Sequence, residues 1–288
     1  MPLFSRHDGT LATDIAPYRR IMPFILKTRN ESAVYFEQEM DLTKTLKFTE
    51  AWNAANPERR ITVFHVFLWA STQCLHLRPG MNRFTSGGNI YQRNGIWISY
   101  SAKKELKDGS PIVLLKRQFD PSMSFAELVN FVYGDVKEGR SEKKLHQEKE
   151  INMSLKLPGF LLAFGLWAIR LLDAWNLLPK AFIQPDPMYA SMFIANLGSV
   201  KLESAYHHLY EYGNIPVFVT IGRNKKVASV GDDGQVAVKT VCSVKYSFDE
   251  RVEDGLYCAK TLDMLRTYVE DPEGKGASTK AAATAVAA

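Results

Sequence analysis

Helical and strand-like spacings of apolar residues follow one another along the whole chain, which predicts a mixed α/β protein. Two helices are predicted near the start. The first begins at Asp41 or Thr43 and ends at about Asn56, where a proline follows. The second is strongly apolar, begins at Thr62 and ends at Pro79. Capping residues at the starts and helix-stopping residues at the ends set the bounds of both.

The other elements are mostly strands. They are predicted at residues 83–103 as a β-meander, and at 111–117, 189–196, 215–221 and 236–248. A helix opened by Ser122 or Ser124 continues into the charged stretch 137–150. A last helix runs from Asp254 to about Glu270. Because helices and strands are mixed throughout and no linker separates them, we expect one α/β domain with helices packed on a largely β core.

The segment Leu157–Leu178 is apolar over about the length that crosses a bilayer. Arg170, Asp173 and Asn176 interrupt it. On a helix, Arg170 and Asp173 fall on one face with room to pair, opposite a stripe of Phe, Leu and Trp side chains. This pattern favours a helix packed within protein. A helix lying on a membrane surface is the second interpretation and a membrane span the third.

Composition and charge exclude several classes of protein. The 288 residues are enough for a sizeable core, and the net charge of +5 is mild. Lysines and arginines do not cluster with aromatic residues, so no nucleic-acid partner is expected. Cys74, Cys242 and Cys258 lie in apolar stretches without metal-ligand spacing, so we expect buried thiols and no metal. The start has no apolar signal core, which indicates a cytoplasmic protein, peripheral to a membrane if Leu157–Leu178 lies on one.

Three short stretches carry a resemblance to a known family. Residues 249–255 read DERVEDG between a strand and a helix, residues 192–198 read MFIANLG, and residues 14–20 read DIAPYRR. They resemble the D-H-R-x-x-D-G or H-H-x-x-x-D-G motif, the T-I-S-N-L-G strand end and the first helix of one family. This family comprises the catalytic domains of the 2-oxo acid dehydrogenase acyltransferases and the chloramphenicol acetyltransferases. We therefore expect a divergent, stand-alone member of it.

The resemblance implies a chloramphenicol-acetyltransferase-like two-layer fold, a mixed sheet flanked by helices, assembled as a homotrimer with active sites between subunits. It also implies acyl transfer between coenzyme A and an acceptor thiol or hydroxyl. The acyltransferase-like domain is expected at 14–272, with an inserted apolar helical segment at about 150–187. An N-terminal extension at 1–13 and a disordered tail at 273–288 flank it. The extension is too short for a lipoyl domain, so no lipoyl group is expected on this chain.

The two residues that perform the family's chemistry are replaced. Glu250 stands at the position of the family's catalytic histidine, and Ala195 at the position of its oxyanion serine. A solvated carboxylate is a poor base at neutral pH, and an alanine methyl offers no donor to a tetrahedral oxyanion. We therefore expect a non-catalytic trimer that binds an acyl-CoA-like ligand, a protein partner or a membrane surface, the last two through residues 157–178.

The alternative is an active coenzyme-A-dependent acyltransferase with Glu250 as general base. His207 or His208, which follow the 192–198 stretch, would then supply an imidazole or assist Glu250. Because neighbouring residues are expected to point in opposite directions, we expect at most one of the two histidines to face the site.

The structural positions of the motif are intact. Asp254 matches the acidic residue that, in the family, forms a salt bridge with a buried arginine. Arg20 is the expected partner, and Arg19 is less favoured. Gly255 permits the tight turn into the last helix. Asp249 and Arg251 complete the motif, so its loop is expected to keep the family geometry.

Overall fold

The computed structural model describes residues 4–103, 112–139, 155–231 and 233–278. Within these ranges the strands are β1 (Gly9–Leu11), β2 (Ala33–Asp41), β3 (Arg83–Ser86), β4 (Asn89–Arg93), β5 (Ile96–Lys103), β6 (Ile112–Phe119), β7 (Met192–Asn196), β8 (Val217–Val230) and β9 (Val236–Asp249). The helices are α1 (Pro17–Ile25), α2 (Thr43–Ala55), α3 (Val63–Leu77), α4 (Phe125–Gly139), α5 (Gly159–Ala174), α6 (Lys180–Ile183) and α7 (Gly255–Glu270). The predicted α/β class is confirmed.

Six strands form the main sheet in the order β2-β9-β8-β7-β5-β6. β7 runs parallel to both of its neighbours, whereas the other neighbouring strands are antiparallel. Ala195 of β7 lies beside Thr220 of β8, which in turn lies beside Lys245 of β9. The sheet is therefore mixed, and β7 lies inside it with a neighbour on each side.

One face of the main sheet packs on α2, α3, α4 and α7 and forms the main hydrophobic core. Alternate residues of the strands point into this core, among them Val219 of β8 and Tyr246 of β9. Trp52 of α2, Phe67 of α3 and Leu262 of α7 pack against them. Burial of these large side chains stabilises the layer of helices on the sheet.

The intervening strand residues point to the opposite face of the main sheet, which we call the second face. Its residues include Tyr35, Glu37, Trp97, Ser99, Lys116, Phe193, Ala195, Phe218, Thr220, Lys245 and Ser247. Unlike the core face, this face mixes aromatic, charged and hydroxyl side chains. It is partly covered by the loop between β7 and β8, and it carries the candidate site.

Local sequence explains the bounds of three helices. α2 begins at Thr43 as predicted, and α7 covers the predicted last helix. At the start of α3, Thr62 and His65 form a reciprocal capping box, which satisfies backbone N–H groups that have no partner inside the helix. The predictions for all three helices are confirmed.

β1, β4 and β3 form a separate three-stranded sheet. The predicted meander at 83–103 is therefore divided, because β3 and β4 form a hairpin here whereas β5 joins the main sheet. Gly95, with a φ of +75°, lies at the turn between them. The segment predicted as an N-terminal extension supplies β1 and two charged side chains, Arg6 and Asp8, which form an ion pair 2.8 Å apart against this sheet.

α5 exposes most of its apolar side chains in the single chain. Phe160, Phe164 and Trp167 are 72%, 61% and 57% exposed. The described residues of its own subunit therefore leave much of the helix uncovered, although its pattern favours a helix packed within protein. Among the residues that the structure describes, no helix is long and apolar enough to cross a membrane.

The two charged residues of α5, Arg170 and Asp173, do not pair with each other as the sequence predicts. Asp173 is buried and pairs with Arg6 at 2.8 Å, whereas Arg170 is exposed. The predicted pair between Arg170 and Asp173 is wrong, because the N-terminal segment brings a buried guanidinium to this side of the helix.

Parts of several predictions fall outside the described residues. Among these parts are residues 1–3 of the predicted extension, residue 111 of the predicted strand 111–117, most of the charged stretch 137–150, the start of the inserted segment 150–187, and residues 279–288 of the predicted tail. The first residues of that tail are described, and Ala277 is buried in the main core. The domain therefore extends at least to this residue.

Candidate functional site

The DERVEDG motif spans the end of β9 and the start of α7. Asp249 is the last residue of β9, and its backbone N–H donates to the carbonyl of Pro216 at 2.9 Å. The N–H of Glu250 donates to the carbonyl of Ser32 at 3.0 Å. The loop is therefore fixed from both sides, next to the strand that follows α1.

A buried ion pair lies inside the motif. The Asp249 carboxylate accepts hydrogen bonds from Nε and Nη2 of Arg251 at 2.8 and 2.7 Å, and from the hydroxyl of Ser32 at 3.1 Å. Arg251 also donates from Nη1 to the carbonyls of Leu26 and Lys27. Because both charges are desolvated but fully hydrogen-bonded, removal of one would leave the other buried without a partner.

The predicted pair between Asp254 and Arg20 does not form. Asp254 is exposed and caps α7 by accepting from the N–H of Tyr257 at 2.7 Å, and Arg20 is exposed with its guanidinium on the carbonyl of Thr13. Arg19 is the buried arginine of α1, and it donates to the backbone carbonyl of Glu250.

Helix geometry explains this correction. The buried side of α1 contains Arg19 and Pro23, four residues apart, whereas Arg20 is turned about 100° away toward solvent. The buried arginine of α1 is thus Arg19, the candidate that the sequence favoured less.

Glu250 is half-buried in the turn between β9 and α7. Its backbone is held on one side by Ser32 and on the other by Arg19. Within the described part of the chain, its carboxylate has no hydrogen bond or ion pair. The side chain is therefore free to contact a ligand or another subunit.

Ala195 and Glu250 are far apart in one chain. Ala195 lies level with Lys245, two strands away, and Glu250 follows five residues further along. With strands about 4.8 Å apart and a rise of about 3.3 Å per residue, the two positions are about 19 Å apart. A single subunit therefore does not bring Ala195 and Glu250 together.

His207 lies on the second face of the main sheet. Its ring stacks on that of Phe218 at 3.9 Å with an angle of 4°, and Phe218 stacks in turn on Phe193 at 4.7 Å. Phe193 is two residues from Ala195 on the same strand and points to the same face. The loop that follows the 192–198 stretch thus brings an imidazole to the face of Ala195.

The tautomer of His207 follows from its hydrogen bond. Nδ1 lies 2.7 Å from the carbonyl oxygen of His208. Because a carbonyl only accepts, Nδ1 carries the proton and Nε2 keeps its lone pair in the neutral ring. Burial, and secondarily the neighbouring His208, lowers the pKa of His207 below its ordinary 6.5, so the neutral form prevails at pH 7.

His208 is exposed, and its ring stacks on that of His207 at 4.6 Å. The expectation that the two rings point in opposite directions is wrong. Strand alternation does not apply, because residues 201–214 form an irregular loop rather than a strand. Across the described ranges, no hydrogen bond or ion pair joins either ring to Glu250.

Sequence reasoning missed a group of buried cations. Arg29, Arg93 and Lys116 lie far apart in sequence, each without a motif around it. Arg29 and Arg93 are 8% and 4% exposed, and Lys116 is half-buried on the second face. Each has a polar or charged neighbour in the sequence, as an ordinary surface cation does, so no local signal indicates this group.

The cysteines are buried as predicted, and burial raises the pKa of each thiol to about 12. In the described ranges, no group of three histidine, cysteine, aspartate or glutamate side chains is placed to hold a metal ion. With the thiols and a metal centre set aside, the candidate residues of the site are those of the motif loop, Ala195 and His207.

Comparison with known proteins shows what this chain resembles. Residues 185–275 match the family model of the 2-oxoacid dehydrogenases acyltransferase (catalytic domain). This stretch contains Ala195, both histidines and the motif loop. No curated protein matches the chain as a sequence.

Several solved structures share the fold over nearly the whole chain. A probable dihydrolipoamide acetyltransferase from Listeria monocytogenes is 15% identical, with a TM-score of 0.58 over 97% of this chain and 98% of that one. The dihydrolipoamide acetyltransferase of Azotobacter vinelandii is also 15% identical, with a TM-score of 0.59 over 91% and 93%. A truncated catalytic core of the 2-oxoacid dehydrogenase multienzyme complex from Thermoplasma acidophilum is 16% identical, with a TM-score of 0.52 over 91% and 99%.

The predicted fold and the family resemblance are thereby confirmed, the first by the shared architecture and the second by the matching C-terminal part. Residues 185–275 thus match the catalytic domain of the 2-oxoacid dehydrogenase acyltransferases, and the chain as a whole shares the fold of dihydrolipoamide acetyltransferases.

Proposed function

We propose that this protein is a homotrimer that binds acyl-CoA-like ligands on an acyltransferase scaffold and does not catalyse acyl transfer. The observation that carries the proposal is the pair of replacements at the two chemical positions, Glu250 and Ala195, on an intact motif loop. Asp249 and Arg251 still fix this loop, while the groups that would react are gone.

The chemistry explains why these replacements remove activity. Attack of a thiol or hydroxyl on a thioester needs a base poised near neutral pH and a donor to the oxyanion of the tetrahedral intermediate. The Ala195 methyl donates nothing, and a negative carboxylate at position 250 repels a developing oxyanion. Loss of one oxyanion donor alone costs about 3–4 kcal/mol of transition-state stabilisation.

The separation of Ala195 and Glu250 supports the trimer. The two positions lie about 19 Å apart in one subunit, so a site that contains both requires a second copy of the chain. The Azotobacter vinelandii structure was determined to investigate a serine, a histidine and an asparagine in catalysis. The last two are four residues apart there, as Glu250 and Asp254 are here.

Calorimetry and a thiol-release assay test the proposal. The purified protein is titrated with acetyl-CoA and longer acyl-CoAs, and free thiol is followed in the presence of thiol and hydroxyl acceptors. We expect binding without thiol release, and a trimer in sedimentation analysis. Thiol release that is abolished by Glu250→Ala would falsify the absence of catalysis. If none of the acyl-CoAs bound, the proposed class of ligand would be wrong.

His207 supports a second candidate, an active acyltransferase. Its neutral ring keeps a free Nε2 lone pair on the face of Ala195, as a general base requires. In this reaction Nε2 takes the acceptor's proton, the acceptor attacks the thioester carbonyl, and coenzyme A leaves as its thiol after taking a proton back. Turnover that is lost in His207→Gln and kept in His208→Gln would establish this function.

The exposed apolar side of α5 supports a contact surface for a protein partner or a cytoplasmic membrane. Phe160, Phe164 and Trp167 lie three or four residues apart and are each more than half exposed, as is Trp175 directly after the helix. Such a stripe fits the groove of a partner or the boundary of lipid headgroups and acyl chains. Flotation with liposomes, compared with the oligomeric state in solution, distinguishes the two.

A further inference from the structure

A cavity of about 320 Å³ opens beside β5 and β6 on the second face of the main sheet. The turn between β4 and β5 borders it on one side and α6 on the other. Its lining includes three basic side chains, one carboxylate and an indole ring: Arg93, Lys116, Lys180, Asp8 and Trp97. Lys116 lies level with Phe193, two strands away, so the cavity is separate from the position of Ala195.

Arg93 has unused donors at this cavity. The residue is 4% exposed, and Nη2 donates to the side-chain oxygen of Asn214 at 2.7 Å. Nε and Nη1 are buried and have no hydrogen-bond acceptor in the described structure. Buried guanidinium N–H groups without a partner are costly, so an acceptor that reaches them is strongly favoured.

The nearest carboxylate is already engaged. Asp8 lies 3.6 Å from Nη1 of Arg93, beyond hydrogen-bond distance. Its oxygens accept instead from Nε of Arg6 at 2.8 Å and from the side-chain amide of Asn214 at 2.8 Å. The face of the Arg93 guanidinium lies 4.3 Å from the ring centroid of Phe84, which leaves its edge for a ligand.

Lys116 adds a second cation. Its Nζ donates to the carbonyl of Ile183 at 2.9 Å and lies 5.0 Å from the ring centroid of Trp97. One bond leaves two further donors on the ammonium group. Burial, and secondarily the charge of Arg93, lowers the pKa of Lys116 to about 7, which shows how poorly its charge is compensated.

We propose that this cavity binds the anionic group of a small molecule, a carboxylate or a phosphate, through Nε and Nη1 of Arg93 and Nζ of Lys116. Two oxygens of a carboxylate or a phosphate match the edge of a guanidinium, and the indole of Trp97 offers an apolar wall for the rest of the molecule. The site is independent of acyl transfer, since neither Glu250 nor Ala195 lines it.

The groups that face Lys116 determine how binding depends on pH. They are Arg93 of β4, Asp8 and His7 of the N-terminal segment, Lys180 of α6 and Asp186 of the following loop. A bound anion raises the pKa of Lys116 above its value of about 7. Above pH 7, binding of the anion is therefore accompanied by the uptake of a proton by Lys116. Affinity therefore falls as pH rises, by up to about tenfold per pH unit.

Calorimetric titration with sodium sulfate and sodium benzoate tests the site. The charge of both anions stays constant above pH 6, so any pH dependence comes from the protein. At constant ionic strength we expect binding at pH 6.5 that weakens toward pH 8.5, with close to one proton taken up at pH 8. Preference for sulfate assigns the site to phosphates, and preference for benzoate assigns it to carboxylates.

Lys116→Met is the informative variant and Lys226→Met its matched control, since Lys226 is exposed on β8. We expect Lys116→Met to lose about tenfold in affinity at pH 6.5 and all proton uptake at pH 8, and Lys226→Met to change neither. The side-chain Nε–H resonance of Arg93 gives a readout without any variant and shifts on titration.

Two results would overturn the site. One is that titration of the wild-type protein with either anion, up to about 20 mM, gives neither heat nor a shift of the Arg93 resonance. This concentration is well above the dissociation constant of a functional site. The other is equal affinity and equal proton uptake in Lys116→Met and Lys226→Met.

Discussion

Asp249 and Arg251, two residues apart in the motif loop, bond to each other through two hydrogen bonds of 2.7 and 2.8 Å. The pair is almost completely buried. The motif therefore fixes its own backbone, without the ion pair to α1 that the family resemblance implies. The loop is therefore held in place independently of the side chain of Glu250, which lies between them.

Asp249→Asn is expected to lower the free energy of unfolding by about 3–5 kcal/mol, because it leaves Arg251 buried without a counter-charge. Urea denaturation followed by circular dichroism measures this loss. Asp254→Ala is the control and is expected to cost about 1 kcal/mol, since Asp254 only caps α7. Equal losses in the two variants would contradict the assignment of the structural ion pair to Asp249.

Arg19→Ala is expected to destabilise the protein by about 1–3 kcal/mol, because it removes a buried donor from the carbonyl of Glu250. The neighbouring Arg20→Ala is expected to change stability by less than about 0.5 kcal/mol, since Arg20 is exposed. Thermal unfolding of the two variants, measured side by side, tests whether Arg19 rather than Arg20 is the structurally important arginine of α1. A larger effect of Arg20→Ala would restore the prediction from the sequence.

The double substitution Glu250→His and Ala195→Ser is expected to create thiol release from acyl-CoA at a rate at least about 100-fold above the wild-type protein. A positioned imidazole and a hydroxyl donor restore the base and the oxyanion donor. Each single variant, measured in the same assay, serves as the control. Failure of the double variant, while it binds acyl-CoA and remains trimeric, would show that other parts of the site have also changed.

The pKa of His207 is expected to lie below 6.5 and to move up toward it in Phe218→Ala, which opens the stacked face to water. Nuclear magnetic resonance titration of the imidazole signals measures both values. Because the lowered pKa belongs to the folded state, the unfolded state binds more protons below pH 6.5. The free energy of unfolding therefore falls as pH drops through this range, and less so in His207→Gln.

Trp167→Ser with Phe164→Ser is expected to abolish any contact made through α5, with little loss of stability, since both side chains are more than half exposed. Flotation with anionic liposomes and sedimentation of the purified protein measure the two contacts. Arg170→Ser, on the same helix, is the matched control. Unchanged flotation and an unchanged oligomeric state in the double variant would remove α5 as a contact surface.

The sequence by itself determined the α/β class, the bounds of α2, α3 and α7, and the family resemblance. These depend on local spacing, capping residues and short motifs, which neighbouring residues in the chain decide. The location of Ala195 in a strand, and of Glu250 directly after one, could also be predicted, because the apolar pattern of each strand is visible in the sequence.

Only the tertiary structure decided which charges meet. Arg6 meets Asp173 because segments far apart in sequence pack together, and the local pair of Asp249 and Arg251 is anchored to the distant carbonyls of Leu26 and Lys27. The loop that stacks His207 on Phe218 has no periodic pattern to interpret. The division of the predicted meander between two sheets, and the buried cations around Lys116, depend in the same way on where distant strands pair. Burial fixes these partners because a desolvated charge is stable only beside a group that the fold as a whole supplies.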